Sequence, residues 1–117
     1  MKILIVEDDD GMVELLVRIL KNHEIVIAND GREAVEKYLK ERPDLVLMDI
    51  ELPTMNGVSA TKEIKKIDPK AKVIAVTAYA AQRGREILRE GALDVVVKPF
   101  KVKDLLERIE KVAKLEL

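Results

Sequence analysis

The sequence contains no cysteine and no tryptophan, and it has a single histidine among 117 residues. Without cysteine, the chain has neither disulfides nor thiolate chemistry, and His23 alone excludes a multi-histidine metal site. No apolar run approaches the roughly 20 residues that a membrane-spanning helix needs. The N-terminal run from Ile3 to Val6 is also too short for a signal peptide. We therefore expect a soluble, cytoplasmic protein that does not bind a membrane.

The sequence also lacks an excess of either charge, since 21 basic residues nearly balance 22 acidic ones. A balanced chain has no overall field that attracts nucleic acid, so we expect no direct nucleic-acid binding. The hydrophobic fraction of 48% suffices for one core, and the length leaves no room for two domains. We expect a single domain over residues 1–117, with no output domain.

Five short runs rich in valine, isoleucine and leucine alternate with segments of helical periodicity. The runs are 2–6, 24–28, 44–48, 72–76 and 94–97, and the helical segments are 11–22, 31–41, 57–67, 80–90 and 102–114. Apolar residues on both faces of the runs indicate a parallel sheet covered by helices on both sides. The alternation predicts an α/β fold of the doubly wound, flavodoxin-like (βα)₅ type, with a five-stranded sheet in the order 2-1-3-4-5.

Polar side chains follow the predicted strands at their carboxyl ends. Glu7 and Asp8 follow the first strand, Asp49 the third, Thr77 the fourth and Lys98 the fifth. Ligands bind at this edge of an open parallel sheet, where the strand order switches, so we expect these side chains to share one crevice. Clustered carboxylates oppose one another's ionisation unless a cation binds, and their oxygens are suited to Mg²⁺ (or Mn²⁺).

A phosphate group is expected in the same crevice, because Mg²⁺ usually binds through one or two carboxylates together with a phosphate oxygen. Lys98 supplies a positive charge for that phosphate, and Thr77 supplies a hydroxyl donor. Asp49 is then the expected nucleophile, since a carboxylate can attack phosphorus and form an acyl phosphate.

Four stretches, in order, give the chain a specific resemblance over nearly its whole length. They are ILIVEDD, PDLVLMDIELPTMNG, VIAVTAYA and VVVKPF. With them the chain resembles the receiver domain of bacterial two-component response regulators, of the single-domain kind used in chemotaxis and sporulation relays. The resemblance implies that Asp49 accepts a phosphoryl group from the phosphohistidine of a sensor histidine kinase or histidine phosphotransfer protein.

The resemblance also implies roles for the surrounding residues. Asp8 and Asp49 would bind Mg²⁺, with Glu7 as an acidic partner and the backbone carbonyl of Glu51 as a further ligand. Thr77 and Lys98 would contact the phosphoryl group, and the bond between Lys98 and Pro99 would be cis. Phosphorylation would alter a surface near helix 4, strand 5 and helix 5 that binds a downstream protein. We expect a monomer or weak dimer. The protein would catalyse only its own phosphorylation and dephosphorylation, so it would not be an enzyme in the ordinary sense.

Two positions concern how the protein responds to phosphorylation and how long the phosphorylated state lasts. The family commonly has tyrosine or phenylalanine three residues before the lysine, but this chain has Val95 there, which argues against a ring-flip readout. Tyr79, two residues after Thr77, either shields an acyl phosphate from water or is an ordinary exposed loop residue. With shielding, we expect a long-lived phosphorylated state.

The first predicted helix has an unusually wide apolar arc of about 200° at 100° per residue. One interpretation is partial burial of this arc against the last helix. The other is a docking patch for a kinase helix bundle, formed by Gly11, Met12 and Leu15 beside the acidic residues.

Three other functions remain open from the sequence. An aspartate-nucleophile, Mg²⁺-dependent phosphatase would use similar groups, but it expects an aspartate two residues after the nucleophile, where this chain has Glu51. A flavodoxin-like cofactor module would need a phosphate-binding loop after the first strand, where EDDDG would repel phosphate. A receiver-like interaction module would work without phosphorylation.

Overall fold

The computed structural model describes all residues, 1–117, as five strands alternating with five helices. The strands are β1 (Lys2–Val6), β2 (Glu24–Ala28), β3 (Leu45–Met48), β4 (Val73–Thr77) and β5 (Asp94–Val97). The helices are α1 (Asp10–Ile19), α2 (Gly31–Glu41), α3 (Gly57–Ile67), α4 (Ala80–Arg89) and α5 (Val102–Ala113). None of these helices has the length and apolar character needed to cross a membrane.

The strands form one parallel sheet in the order β2-β1-β3-β4-β5. This confirms the predicted fold class and strand order. The order reverses between β1 and β3, so the loops that leave these two strands diverge above the sheet and open a crevice at its carboxyl edge.

The core has two halves, one on each face of the sheet, because successive strand residues point to opposite faces. In β1, Leu4 and Val6 contribute to the larger cluster of 15 buried residues, which α2, α3 and α4 cover. Ile3 and Ile5 contribute to the other cluster of 12, which α1 and α5 cover. The apolar residues predicted on both faces of the strands thus reflect burial on both faces in β1, β3 and β4, whereas the edge strands β2 and β5 are only partly buried.

Three strands and two helices have the predicted boundaries, and the boundaries of the other elements differ from the prediction by one to three residues. Thr77 is the last residue of β4 rather than the residue after it. Helix α1 starts at Asp10 because the side chain of Asp9 accepts a hydrogen bond from the Met12 backbone at 2.9 Å and caps the helix. The helix ends at Ile19, three residues earlier than the periodicity indicates.

The wide apolar arc of α1 is divided between the core and the surface. Met12 and Ile19 are partly buried and pack against the cluster that includes α5 residues. Leu15 remains 41% exposed, and Gly11 is exposed. Partial burial against the core therefore accounts for part of the arc, and Leu15 is left on the surface.

Candidate functional site

The carboxyl edge of the sheet brings together the acidic side chains that the sequence places after β1 and β3. One carboxylate oxygen each from Glu7, Asp8 and Asp49 lies within 4.8 Å of the others. Glu7 and Asp49 are buried, at 2% and 8% exposure, whereas Asp8 is exposed. The site is thus a cluster of three carboxylates with one side open to solvent.

Lys98 places its ammonium group between the two buried carboxylates. Its Nζ donates hydrogen bonds to Oε1 of Glu7 and, at 3.1 Å, to Oδ2 of Asp49. Burial disfavours the ammonium, but the hydrogen bond to Glu7 and the charge of Asp49 outweigh it and raise the pKa of Lys98. Burial and the charge of Asp49 raise the pKa of Glu7, while the hydrogen bond from Lys98 opposes that rise.

Backbone amides fix the orientation of both buried carboxylates. The second oxygen of Glu7, Oε2, accepts hydrogen bonds from the amides of Asp8 and Asp9, each at 3.1 Å. Oδ1 of Asp49 accepts one from the amide of Ile50 at 2.7 Å. Each buried carboxylate therefore has one oxygen held by the backbone and the other directed at Lys98.

Thr77 is fully buried at the end of β4, the strand next to β3, which Asp49 follows. Its Oγ1 accepts a hydrogen bond from the amide of Tyr79 at 3.0 Å. The hydroxyl proton is not used in that bond, so the group can still act as a donor. The Tyr79 side chain itself is 46% exposed at the start of α4.

Close backbone packing supports the segment that carries Asp49. A Cβ on Gly57, the first residue of α3, would lie 1.9 Å from the carbonyl oxygen of Asp49. The amide of Gly57 also donates a hydrogen bond to the carbonyl of Ile50 at 2.8 Å. Only glycine allows α3 to begin this close to the backbone of Asp49.

The structure adds a residue that the sequence analysis did not single out. Arg83, in α4, donates a hydrogen bond from Nη1 to the carboxylate of Glu51 at 3.2 Å. These residues are 32 positions apart, on different elements, and no local pattern connects them. Only a prediction of the tertiary contact between α4 and the loop after β3 could have identified the pair.

The remaining predicted positions lie around this cluster. The peptide bond between Lys98 and Pro99 is cis, as the resemblance implies. Val95 is partly buried and packs against the larger core cluster. In α1, Met12 is partly buried and Leu15 exposed, and both follow shortly after the acidic residues.

The fold and the site together define a doubly wound α/β protein with an acidic cluster, a hydroxyl and an ammonium at the switch point of its sheet. The chain matches the family described as "Response regulator receiver domain" over residues 3–110, and it belongs to this family. It is therefore a receiver domain of the kind found in two-component signalling proteins, and not a classical enzyme.

Known proteins of this family resemble the chain over nearly its full length. The chemotaxis protein CheY of Thermotoga maritima is 44% identical, and the match covers 97% of this chain and 98% of that protein. The response regulator domain of Thermotoga maritima CheB superposes with a TM-score of 0.92 at 33% identity, covering 100% and 98% of the two chains. The CheY in a CheX–CheY–BeF₃–Mg²⁺ complex of Borrelia burgdorferi gives a TM-score of 0.90 at 32% identity, covering 96% and 88%.

Proposed function

We propose that this receiver domain is a phosphorylation-driven switch in which Asp49 accepts a phosphoryl group from a phosphohistidine. The observation that carries the proposal is the position of Asp49: it is 8% exposed, within 4.8 Å of two other carboxylates and 3.1 Å from the ammonium of Lys98. A carboxylate held in this way is an oriented nucleophile beside a fixed positive charge. The donor is a sensor histidine kinase or a histidine phosphotransfer protein.

In the transfer step, a carboxylate oxygen of Asp49 forms a bond to phosphorus. The phosphorus–nitrogen bond of the phosphohistidine breaks, and its electron pair goes to the departing imidazole nitrogen. A proton on the other ring nitrogen makes the leaving group a neutral imidazole. Lys98 balances charge on the phosphoryl oxygens, and the unused hydroxyl proton of Thr77 is available to one of them.

The donor set fits a divalent cation. Glu7, Asp8 and Asp49 offer three carboxylates, whereas Lys98 provides one positive charge for two of them. Hard oxygen ligands with an open, solvated side suit Mg²⁺ or Mn²⁺, and the backbone carbonyl of Glu51 would complete the protein's ligands. When bound, the metal neutralises negative charge on the phosphoryl group during transfer.

Phosphorylation is proposed to change the surface formed by α4, β5 and α5. A phosphoryl group on Asp49 adds negative charge beside Lys98, which follows β5 and contacts Asp49, and at the sheet edge where Thr77 ends β4. Exposed apolar residues on these three elements, namely Leu88, Val97, Val102 and Leu106, offer contacts for a downstream protein. Gly11, Met12 and Leu15 in α1 are the proposed docking patch for the phosphodonor protein, and Tyr79 the proposed shield of the acyl phosphate.

The direct test is intact-mass measurement after incubation with acetyl phosphate, with and without Mg²⁺. We expect the wild type to gain one phosphoryl group only when Mg²⁺ is present, and Asp49→Asn to gain none. An unmodified wild type that binds Mg²⁺ and beryllofluoride would indicate loss of the group faster than detection. Mg²⁺ binding without beryllofluoride binding would instead support an interaction module that works without phosphorylation.

A phosphatase function has less support. The residue two positions after Asp49 would have to act as a free acid or base, but the carboxylate of Glu51 accepts a hydrogen bond from Arg83. Turnover of a generic phosphate ester by wild type, and its loss in Asp49→Asn, would favour the phosphatase.

A further inference from the structure

Arg83 connects two segments that each follow a strand of the site. Its Nη1 lies 3.2 Å from Oε1 of Glu51, in the loop after β3, and its Nη2 lies 3.2 Å from Oε2 of Glu86, in the same helix. The side chains of Arg83 and Glu51 are 27% and 44% exposed. The guanidinium therefore bridges α4 and the loop after β3, in addition to pairing within α4.

The position of this bridge makes it relevant to Asp49. Glu51 comes two residues after Asp49, and Arg83 lies in the helix that follows Thr77. Without its partner, Glu51 would be an uncompensated carboxylate next to a site that already has three. Like charges repel, and an anionic ligand approaching the site would meet the carboxylate of Glu51 in addition to the three of the cluster.

We propose that Arg83 is a positioning residue for phosphoryl transfer: by pairing with Glu51, it compensates a fourth carboxylate beside the site formed by Glu7, Asp8 and Asp49. This inference rests on the proposed function. Arg83 does not contact the reacting atoms, and it acts through Glu51 alone. Its effect is electrostatic, so it lowers the negative potential that an anionic phosphodonor encounters.

This role predicts opposite effects on two ligands. Removal of Arg83 should slow phosphorylation by an anionic donor, because the released carboxylate of Glu51 repels it. The same released carboxylate should attract Mg²⁺ and strengthen its binding. A role limited to supporting the local fold would instead weaken both, since a disordered loop would bind neither the donor nor the metal well.

The experiment compares Arg83→Ala with Arg85→Ala, which removes the same charge from the same helix. Arg85 is exposed and forms no ion pair in the structure. Rates are measured by intact mass with acetyl phosphate at saturating Mg²⁺ and low ionic strength. We expect Arg83→Ala to be slower than Arg85→Ala by about three- to tenfold, a difference that 0.5 M salt should largely remove.

Mg²⁺ affinity is measured separately by calorimetry on the unphosphorylated variants. We expect Arg83→Ala to bind Mg²⁺ more tightly than Arg85→Ala, and Arg83→Lys, which keeps the charge, to restore both the rate and the affinity of the wild type. In a Glu51→Gln background, removal of Arg83 should have no further effect beyond that of Arg85→Ala, because the carboxylate is already absent.

Equal rates in Arg83→Ala and Arg85→Ala would overturn the inference, as would an undiminished effect of Arg83→Ala in the Glu51→Gln background. A parallel fall in rate and Mg²⁺ affinity would also overturn it, in favour of a structural role. If the wild type neither gains a phosphoryl group nor binds beryllofluoride, the proposed function fails. The Mg²⁺ titration then still tests the proposed role of Arg83 separately. That role is wrong if Arg83→Ala binds Mg²⁺ no more tightly than Arg85→Ala does.

Discussion

The ammonium of Lys98 donates a hydrogen bond to the carboxylate of Glu7, although the two residues are 91 positions apart. Glu7 follows β1 and Lys98 follows β5, with β3 and β4 between these strands in the sheet. The contact therefore connects the two sides of the crevice. Because Lys98 also contacts Asp49, a single ammonium compensates the charges of two buried carboxylates.

Replacing Lys98 with methionine should destabilise the protein in the absence of divalent metal. The change leaves Glu7 and Asp49 buried without a compensating charge, and we expect the free energy of unfolding to fall by about 2–3 kcal/mol. Urea denaturation at pH 7 measures this, with Lys62→Met as a control, because Lys62 is exposed and unpaired. Added Mg²⁺ should recover part of the loss in Lys98→Met. Equal stability of the two variants would contradict a compensating role for Lys98.

Gly57→Ala should disrupt the site and the fold together. The new Cβ would lie 1.9 Å from the Asp49 carbonyl oxygen, so α3 must move away, at a cost of about 3 kcal/mol. Gly11→Ala is the matched control, since its Cβ would meet its nearest neighbour, Asp9 Oδ2, at 3.6 Å. We expect this helical substitution to stabilise the protein by about 0.5–1 kcal/mol. Thermal and urea unfolding of both variants provide the comparison, and similar effects in the two would contradict the packing argument.

Tyr38→Phe should lower stability at neutral pH and much less in acid. The Tyr38 hydroxyl donates to Oδ2 of Asp68 at 2.8 Å, and this bond is the largest cause of the lowered pKa of Asp68. At neutral pH we expect a loss of about 1–2 kcal/mol, as for a hydrogen bond to a charged acceptor.

The sign of this pH dependence follows from the direction of the shift. The unfolded chain binds a proton at Asp68 more readily than the folded protein does, so acid favours unfolding. The stabilisation is present above the pKa of unfolded aspartate, near 3.9, and is lost as the pH falls through the lower folded value. Urea denaturation of wild type and Tyr38→Phe at pH 7 and in acid tests it. A difference between the two proteins that does not shrink in acid would contradict this assignment.

Tyr79→Ala should shorten the lifetime of the phosphorylated protein severalfold if the exposed ring shields the acyl phosphate from water. Tyr79→Phe keeps the ring and should retain the wild-type lifetime. After the phosphodonor is removed, intact mass is used to follow the loss of the phosphoryl group in the wild type and in both variants. Identical decay in wild type and Tyr79→Ala would show that the ring is an ordinary surface side chain.

The fold and most of the site residues can be predicted from the order and periodicity of the residues alone. Strands and helices differ so strongly in hydrophobic periodicity that alternating elements can be recognised without tertiary information. Apolar residues on both faces of the strands then indicate a parallel sheet. The carboxyl ends of such strands share one edge, so the predicted strand order alone assigns Glu7, Asp8 and Asp49 to one crevice.

The pairing of charges across that crevice depends on the folded arrangement and could not be predicted from the sequence. Lys98 contacts Glu7 as well as Asp49, and Arg83 pairs with Glu51. These partners lie on separate elements, and their distances depend on loop conformation and on the placement of α4, which strand order does not specify. Helix ends also depend on capping by single side chains, as at Asp9, and periodicity leaves such ends uncertain by a few residues.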